Sequence, residues 1–290
     1  MTHPPMPPVP PVPPVLPVPP APEASEAPRQ AARLALACLD LTSLNDTDTE
    51  SDIARLCVRA QGPHGTPAAV CVWPHLAALA RREAPATVAV AAVANFPDGS
   101  LDVERVVREV GQIVQAGAQE VDLVLPWRAL QAGDERGCAA VLAAARRACP
   151  GLALKVILES GELRETALVH RAGELALQAG ADFLKTSTGK TRQGATPEAA
   201  RTMLALLAAQ EHSSGRIGGF KASGGVRTVA DAALYMDLVA QALGQAAVVP
   251  GRFRIGASSL LDDIEAVLAW PAELPYSRGS ATPGAGASRY

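Results

Sequence analysis

Eight short apolar runs alternate with amphipathic stretches along most of the chain, and this alternation limits the folds that are open to it. The apolar runs are residues 34–41, 69–72, 88–94, 121–125, 152–158, 183–186, 217–221 and 253–256. The amphipathic stretches are residues 48–60, 74–82, 101–116, 134–148, 164–179, 197–209, 229–242 and 258–269. Short runs that are apolar throughout are typical of parallel strands buried on both faces. Eight strand and helix units in this order predict an α/β fold, a (β/α)8 TIM barrel.

The competing architecture is a doubly wound open sheet. Its dinucleotide-binding form carries a GxGxxG turn after the first strand, followed by an acidic residue about twenty positions later. The sequence has no such turn after its first apolar run. Barrels also commonly form single domains of about 250 residues. We therefore assign residues 31–270 to one barrel.

Both ends of the chain differ in composition from the barrel. Residues 1–28 hold 13 of the 25 prolines, mostly as Pro-Pro and Pro-Val-Pro units. Such a segment cannot form a hydrogen-bonded ladder and favours an extended conformation. Residues 271–290 are rich in Gly, Ala, Ser and Pro. We predict a disordered proline-rich arm over residues 1–30 and a flexible tail over residues 271–290.

The composition excludes several classes of protein. With 48% hydrophobic and 19% charged residues and a formal net charge of −3, the chain resembles an ordinary globular protein, and nothing indicates a nucleic-acid partner. No run approaches the roughly 20 apolar residues of a membrane span. The five cysteines are scattered, with no CxxC pair and no zinc-binding spacing. We interpret them as reduced thiols of a cytoplasmic protein.

Two lysines indicate amine catalysis. Lys185 and Lys221 lie at the ends of successive predicted strands, and each precedes a glycine-rich turn. A lysine is a nucleophile only as the free base, although its ordinary pKa of about 10.4 keeps it protonated at neutral pH. Burial and a second ammonium group nearby both favour the free base. A lysine activated in this way can form a Schiff base with a carbonyl substrate.

Other polar residues are expected to join these lysines. Active sites of (β/α)8 barrels lie at the carboxyl ends of the strands. Polar side chains in or after the predicted strands are Asp40, Thr42, Asn95, Asp122, Lys155, Glu159, Lys185 and Lys221. Charged residues are rarely buried unless they are paired. We therefore expect Lys185, Lys221, Asp122 and Asp40 to form one cluster, with Lys155 also pointing inward.

A phosphate site is expected beside this cluster. Gly189, Gly224 and Gly225 permit close approach of backbone amides to an anion, and Lys190 could add a positive charge. Ser258 and Ser259 open the last predicted helix, whose N-terminus favours negative charge. The loops after strands seven and eight are a frequent phosphate site of this fold. A tight turn at the paired glycines and a simple N-cap at Ser258 are the structural alternatives.

Short motifs spread along the barrel resemble those of the deoxyribose-phosphate aldolase family. They are LDLTSLN (39–45), AVCVWP (69–74), NFP (95–97), EVDLVLP (120–126), KVILE (155–159), KTSTGK (185–190), GFK (219–221), GGVR (224–227) and GASS (256–259). The resemblance implies a class I aldolase that needs no metal, and we predict no metal and no organic cofactor. It also implies the reversible cleavage of 2-deoxy-D-ribose 5-phosphate into acetaldehyde and D-glyceraldehyde 3-phosphate.

The same resemblance implies roles for individual residues. Lys185 matches the Schiff-base lysine, Lys221 the second lysine that lowers its pKa, and Asp122 the carboxylate that assists proton transfer. Asp40 matches a position near the substrate, and the serines and glycines named above match the phosphate site.

Two further positions match features of only some family members. Cys71 matches a cysteine that reactive aldehydes can attack, but we favour a small inert core residue at this position. Tyr290 matches a terminal tyrosine that assists proton transfer in some relatives. An inert chain end is an equal alternative.

Two other classes of function stay open. A phosphosugar isomerase or epimerase would share the phosphate site, but it would be expected to use carboxylates or a metal in place of paired lysines. A non-catalytic barrel could act as a binding module. We expect a cytoplasmic enzyme whose partners are sugar phosphates and aldehydes, and the resemblance suggests a homodimer.

Overall fold

A computed structural model describes residues 26–269 of the chain. Eight strands form a closed barrel, in which each strand pairs in parallel with the next and β8 pairs with β1. The strands are β1 Leu39–Thr42, β2 Ala69–Val72, β3 Ala89–Ala94, β4 Glu120–Val124, β5 Ala153–Ile157, β6 Phe183–Lys185, β7 Gly219–Ser223 and β8 Phe253–Ala257. The predicted (β/α)8 barrel is confirmed.

Helices surround the barrel and connect successive strands. They are α1 Glu26–Ala37, α2 Glu50–Arg59, α3 Ala77–Glu83, α4 Val103–Gln115, α5 Trp127–Gln131, α6 Glu135–Ala148, α7 Ser160–Leu163, α8 Thr166–Gln178, α9 Pro197–Ser214, α10 Val229–Leu243 and α11 Leu260–Ala269. Two short 3-10 helices cover Pro74–Leu76 and Gln245–Ala247. Within residues 26–269, none of the helices has the length and apolar character needed to cross a bilayer.

Local sequence explains where several helices begin and end. Thr49, Thr196 and Thr228 precede α2, α9 and α10, and each threonine side chain accepts a hydrogen bond from a backbone N–H of the first turn. These bonds satisfy donors that have no partner within the helix. Helix α9 ends at Gly215, which has a φ of 70° that glycine adopts without steric cost.

The first predicted strand and the predicted arm require correction. Strand β1 begins only at Leu39, because residues 34–37 belong to α1, which begins at Glu26 inside the segment assigned to the arm. Pro28 lies in the first turn of α1, where a missing N–H costs no helical hydrogen bond. The following Arg, Gln, Ala and Leu residues favour helix. The predictions for residues 1–25 and 271–290, including Tyr290, lie outside the described residues.

Two further helices were missed, and several predicted helix boundaries differ from those in the structure. Helices α5 and α7 lie in the connections after β4 and β5, where the prediction had loops. Both are a single turn or slightly more, too short for an amphipathic period to show in the sequence. Helix α11 begins at Leu260, so Ser258 and Ser259 lie in the preceding connection.

The core lies between the strands and the helices. Alternate strand residues point outward and pack their apolar side chains against the helices, as do Val70, Val90, Leu154 and Phe220. The residues that alternate with them point into the barrel, and several of these are charged. Inward-pointing charges at the carboxyl end of such a barrel position its chemistry.

Candidate active site

Lys185 and Lys221 lie side by side at the carboxyl end of the barrel. Lys185 is the last residue of β6, and it is the register partner of Lys221 in β7. Both side chains point inward, where they meet Asp122 from β4. The Nζ atoms of Lys185 and Lys221 both lie 2.7 Å from Oδ2 of Asp122. The expected lysine pair is therefore brought together through one shared carboxylate oxygen.

A second layer of charges lies around these three residues. Lys155 Nζ is 2.7 Å from Oδ1 of Asp122 and 2.5 Å from Oε2 of Glu120. Asp40 Oδ2 is 2.5 Å from Nζ of Lys221, and Asp40 Oδ1 is 2.7 Å from a guanidinium nitrogen of Arg254. Arg254 also binds Glu120 through two nitrogens, at 2.7 and 3.2 Å. We call these seven residues the interior cluster: Asp40, Glu120, Asp122, Lys155, Lys185, Lys221 and Arg254.

Sequence reasoning named five members of the interior cluster and missed Glu120 and Arg254. The sequence does contain a signal for each of these two residues. Glu120 lies two residues before Asp122, so it points to the same face of β4. Arg254 carries a charge within the apolar run that forms β8, and charged side chains are rarely buried without partners.

The interior cluster is almost completely shielded from solvent. Asp40, Asp122, Lys155 and Lys221 are fully buried, whereas Lys185 retains 2% exposure. Burial lowers the pKa of Lys185, the ammonium group of Lys221 lowers it further, and Asp122 opposes both effects. Lys185 is therefore the lysine of the interior cluster that is shifted toward the free base.

The other two lysines of the interior cluster shift the opposite way. Burial alone would lower the pKa of Lys221, but Asp122 and Asp40 outweigh it and raise that pKa. The pKa of Lys155 is raised in the same manner, by Asp122, Glu120 and Asp40 against the effect of burial. The structure thus shifts one amine toward the free base and two toward the charged form, because these two each contact more carboxylates.

Two carboxylates of the interior cluster, Asp122 and Asp40, are shifted toward the ionised form. Burial would raise the pKa of Asp122, but Lys155, Lys185 and Lys221 together hold it well below its ordinary value. The pKa of Asp40 is lowered similarly, since Lys221, Arg254 and Lys155 outweigh its burial. Asp122 therefore has the charge that a proton acceptor needs.

Cys71 lies inside the barrel beside the interior cluster. It is fully buried on β2, with Sγ 3.9 Å from Oδ2 of Asp122. Burial, followed by the charge of Asp122, raises the pKa of its thiol. A protonated thiol is a weak nucleophile. All five cysteines are buried and none forms a disulfide.

An open pocket of about 390 Å³ lies above the interior cluster. Its lining includes every residue of the predicted phosphate site and Thr42, while Asp40 lies below it and contacts Lys221 instead. Members of the lining named by the sequence analysis are Thr42, Gly189, Lys190, Gly224, Gly225, Ser258 and Ser259. The pocket adds Arg227, a second cation that sequence reasoning missed although it lies in the GGVR motif.

Glycines shape the wall between the pocket and the interior cluster. Gly189, Gly224 and Gly225 have φ angles of 79°, 85° and 88°, a region that side chains disfavour. A Cβ atom on Gly256 would lie 2.7 Å from Oγ of Ser223 and 3.0 Å from Cε of Lys221. Glycine at position 256 therefore leaves room for the stem of Lys221.

Two other polar residues at strand ends hold loops in place. Glu159 accepts hydrogen bonds from the N–H and hydroxyl of Thr188 and from the hydroxyl of Thr191, in the loop that follows Lys185. Burial raises the pKa of this carboxyl. The side-chain amide of Asn95 donates to the carbonyls of Ser100 and Val124.

Among residues 26–269, no group of three or more His, Cys, Asp or Glu side chains is arranged to hold a metal ion. The three carboxylates of the interior cluster are instead paired with Lys and Arg. The absence of a cofactor stays a prediction.

Comparison with known proteins identifies the family. The model of the DeoC/LacD family aldolases matches residues 34–266. A deoxyribose-phosphate aldolase of Agrobacterium fabrum is 47% identical over 245 residues, which cover 83% of this chain and 93% of the relative. The chain belongs to the DeoC/LacD aldolase family.

Solved structures of aldolases share the barrel. A Toxoplasma gondii protein assigned as a deoxyribose-phosphate aldolase has a TM-score of 0.77 at 25% identity, covering 84% of this chain and 96% of its own. The tetrameric deoxyribose phosphate aldolase of Aeropyrum pernix has a TM-score of 0.64 at 24% identity, with coverages of 85% and 97%. The second comparison concerns the fold alone.

Proposed function

We propose that this family member reversibly cleaves 2-deoxy-D-ribose 5-phosphate into D-glyceraldehyde 3-phosphate and acetaldehyde, through a Schiff base on Lys185. The observation that carries the proposal is the shared contact of Lys185 and Lys221 with Oδ2 of Asp122, at 2.7 Å each. It supplies a nucleophile, a charged neighbour and a proton acceptor directly below an open pocket.

Lys185 is the group suited to the covalent step. Its lowered pKa favours the free amine, which attacks the C1 aldehyde of the open-chain sugar. The resulting adduct takes up a proton and loses water to yield an iminium ion, and this proton is released again when water hydrolyses the iminium ion at the end of the cycle. Removal of the proton from the C3 hydroxyl then breaks the C2–C3 bond, because the iminium nitrogen accepts the electron pair. The products of this step are D-glyceraldehyde 3-phosphate and an enamine that is still attached to Lys185.

Asp122 and Lys221 are the groups suited to move the protons. Asp122 is ionised and can accept a proton, whereas the raised pKa of Lys221 keeps this amine charged and able to donate one. A proton delivered to C2 of the enamine restores an iminium ion, and water releases acetaldehyde and the free amine. Each proton that leaves the C3 hydroxyl is thus matched by one added at C2.

The pocket suits the phosphate end of the substrate. Lys190 and Arg227 supply positive charge, and the glycines permit close approach of backbone amides. Ser258 and Ser259 precede α11, whose N-terminal dipole favours an anion. This assignment agrees with the sequence-based prediction of a phosphate site after the last two strands.

Cytoplasmic location and a homodimeric assembly also belong to the proposal. One solved structure of this fold, the deoxyribose phosphate aldolase of Aeropyrum pernix, is a tetramer. Sedimentation of the purified chain would measure its own assembly.

Trapping with borohydride tests the proposal directly. The chain contains four lysines, Lys155, Lys185, Lys190 and Lys221, so an alkylated peptide is easily assigned. Reduction in the presence of acetaldehyde should add one ethyl group to Lys185, as measured by peptide mass spectrometry. The Lys185→Arg variant should lose this adduct, and Lys190→Arg should keep it.

Two results would contradict the proposal. An adduct on Lys221 in place of Lys185 would show that the nucleophile is misassigned. No adduct at all, together with no cleavage of the sugar phosphate, would favour an isomerase or a binding module on the same barrel.

A further inference from the structure

The interior cluster contains more bases than acids. Its four bases are Lys155, Lys185, Lys221 and Arg254, and its three acids are Asp40, Glu120 and Asp122. Each of the six carboxylate oxygens lies within 3.2 Å of a basic nitrogen. Three of the bases can therefore be matched by three carboxylates, and the fourth is left over.

The contacts show which base is left over. Arg254 bridges Asp40 and Glu120, and its guanidinium group is always charged. Lys155 bridges Glu120 and Asp122, and Lys221 bridges Asp40 and Asp122. Among the described residues, Lys185 pairs only with Asp122, through the oxygen that Lys221 also occupies.

An unmatched charge is costly at this depth. The seven residues are between 0 and 7% exposed, so water can screen their charges only weakly. The cluster is neutral when Arg254, Lys155 and Lys221 are charged and Lys185 is a free amine. Glu120 and Arg254 contribute to this net charge although neither residue contacts Lys185.

We propose that Glu120 and Arg254 are positioning residues that set the net charge of the interior cluster, so that Lys185 is the base that stays uncharged. The inference rests on the proposed function, in which Lys185 is the nucleophile. It assigns a role to a buried ion pair that lies below the reacting groups and does not border the pocket.

Other groups also face Lys185. Lys221 approaches from β7 and Asp122 from β4, Cys71 faces it from β2, and Glu159 acts on it from the connection after β5. All four are the same in the variants compared below. Differences among those variants therefore report the charges at positions 120 and 254.

The test compares two single variants with the double variant. We call the pH range in which the rate of imine formation falls as the pH is lowered the acid limb. Arg254→Gln leaves three acids and three bases, so Lys185 retains its proton and the acid limb moves to higher pH. Glu120→Gln leaves two acids and four bases, so the limb moves to lower pH. Each displacement should be about one pH unit or more. The double variant has two acids and three bases, and its limb should return close to that of the unmodified chain.

The measurement is the initial rate of imine trapping with acetaldehyde and cyanoborohydride across pH, with the alkylated peptide identified. At a fixed pH below the limb, a displacement of one unit changes the rate about tenfold. Two controls separate charge from packing. Arg254→Lys keeps the charge and should leave the limb in place, as should Arg171→Gln, which removes an exposed pair with Glu135 on the outer helices.

The outcomes decide the inference. The inference would be overturned if the acid limb stayed in place in both single variants. It would also be overturned if the limb of the double variant lay as far from that of the unmodified chain as the more displaced of the two single variants. If Arg254→Gln fails to fold, recovery of folding in the double variant supports the balance of charge in the interior cluster. The direction in which Glu120→Gln moves the acid limb then still tests the inference. No adduct in the unmodified chain would overturn the proposed function, whereas an adduct with unmoved limbs would overturn only this inference.

Discussion

The interior cluster and the pocket above it lie at the same end of the barrel but are built differently. The cluster consists of charged residues on strands, each at most 7% exposed. The pocket is formed largely by loop backbone, glycines and hydroxyls, and its two cations, Lys190 and Arg227, are exposed. The strands hold charges where weak screening can shift a pKa, while the loops offer amides and cations to an anion that arrives from water.

This difference predicts a division of effects. Changes in the interior cluster should affect every reaction that passes through Lys185, including proton exchange on acetaldehyde, which has no phosphate. Changes in the pocket should affect only phosphorylated substrates. Four substitutions test this division, from the largest expected effect to the smallest.

Asp122→Asn should cause the largest loss. It removes the proton acceptor, an effect of about 10²- to 10⁴-fold on turnover. It also leaves three buried amines around a neutral amide, which should cost roughly 3 to 5 kcal/mol of unfolding free energy. Turnover of the sugar phosphate, proton exchange on acetaldehyde and denaturant unfolding would all be measured.

The matched control is Asp182→Asn. Asp182 is a partly exposed carboxylate that pairs with Arg146 outside the barrel, so both reactions should proceed at the parent rate. If Asp122→Asn slowed cleavage but left proton exchange on acetaldehyde unchanged, the division between the two regions would be wrong.

Lys190→Met and Arg227→Met should have an intermediate and selective effect. Each removes a cation from the pocket, and a hydrogen bond to a charged group contributes about 1.5 to 3 kcal/mol. The KM for 2-deoxy-D-ribose 5-phosphate should therefore rise about tenfold or more. The kcat/KM for unphosphorylated 2-deoxyribose and proton exchange on acetaldehyde serve as controls and should not change. Equal losses with both sugars would mean that the pocket does not hold the phosphate.

Cys71→Ala should have the smallest effect, although Cys71 lies 3.9 Å from Asp122. Its buried thiol has a raised pKa, so it contributes packing rather than chemistry. Turnover should change less than about twofold, and the loss of a small buried group should lower the unfolding free energy by about 1 kcal/mol. Steady-state kinetics and thermal unfolding would measure both. A tenfold loss of turnover with stability intact would instead assign Cys71 a part in the reaction.

Sequence reasoning predicted most of the architecture because the determining signals are local. Each strand is a short apolar run, and several connections carry a helix cap or a glycine at a known position. It was wrong about residues 34–37, where a helix precedes the first strand. An apolar stretch of that length fits either element, and only the packing of α1 against α10 and α11 decides between them.

For the candidate site, the sequence by itself determined the chemical types. Lysines at the ends of β6 and β7 and a carboxylate within β4 indicate amine chemistry, and the paired glycines indicate an anion site. Only the tertiary structure decided which of these charged groups contact one another. Lys185 and Lys221 meet at a single oxygen of Asp122, and Glu120 and Arg254 complete the balance of charge. These contacts join strands that lie up to 214 positions apart. A local pattern cannot specify them, because they depend on closure of the barrel and on the electrostatics of the buried space inside it.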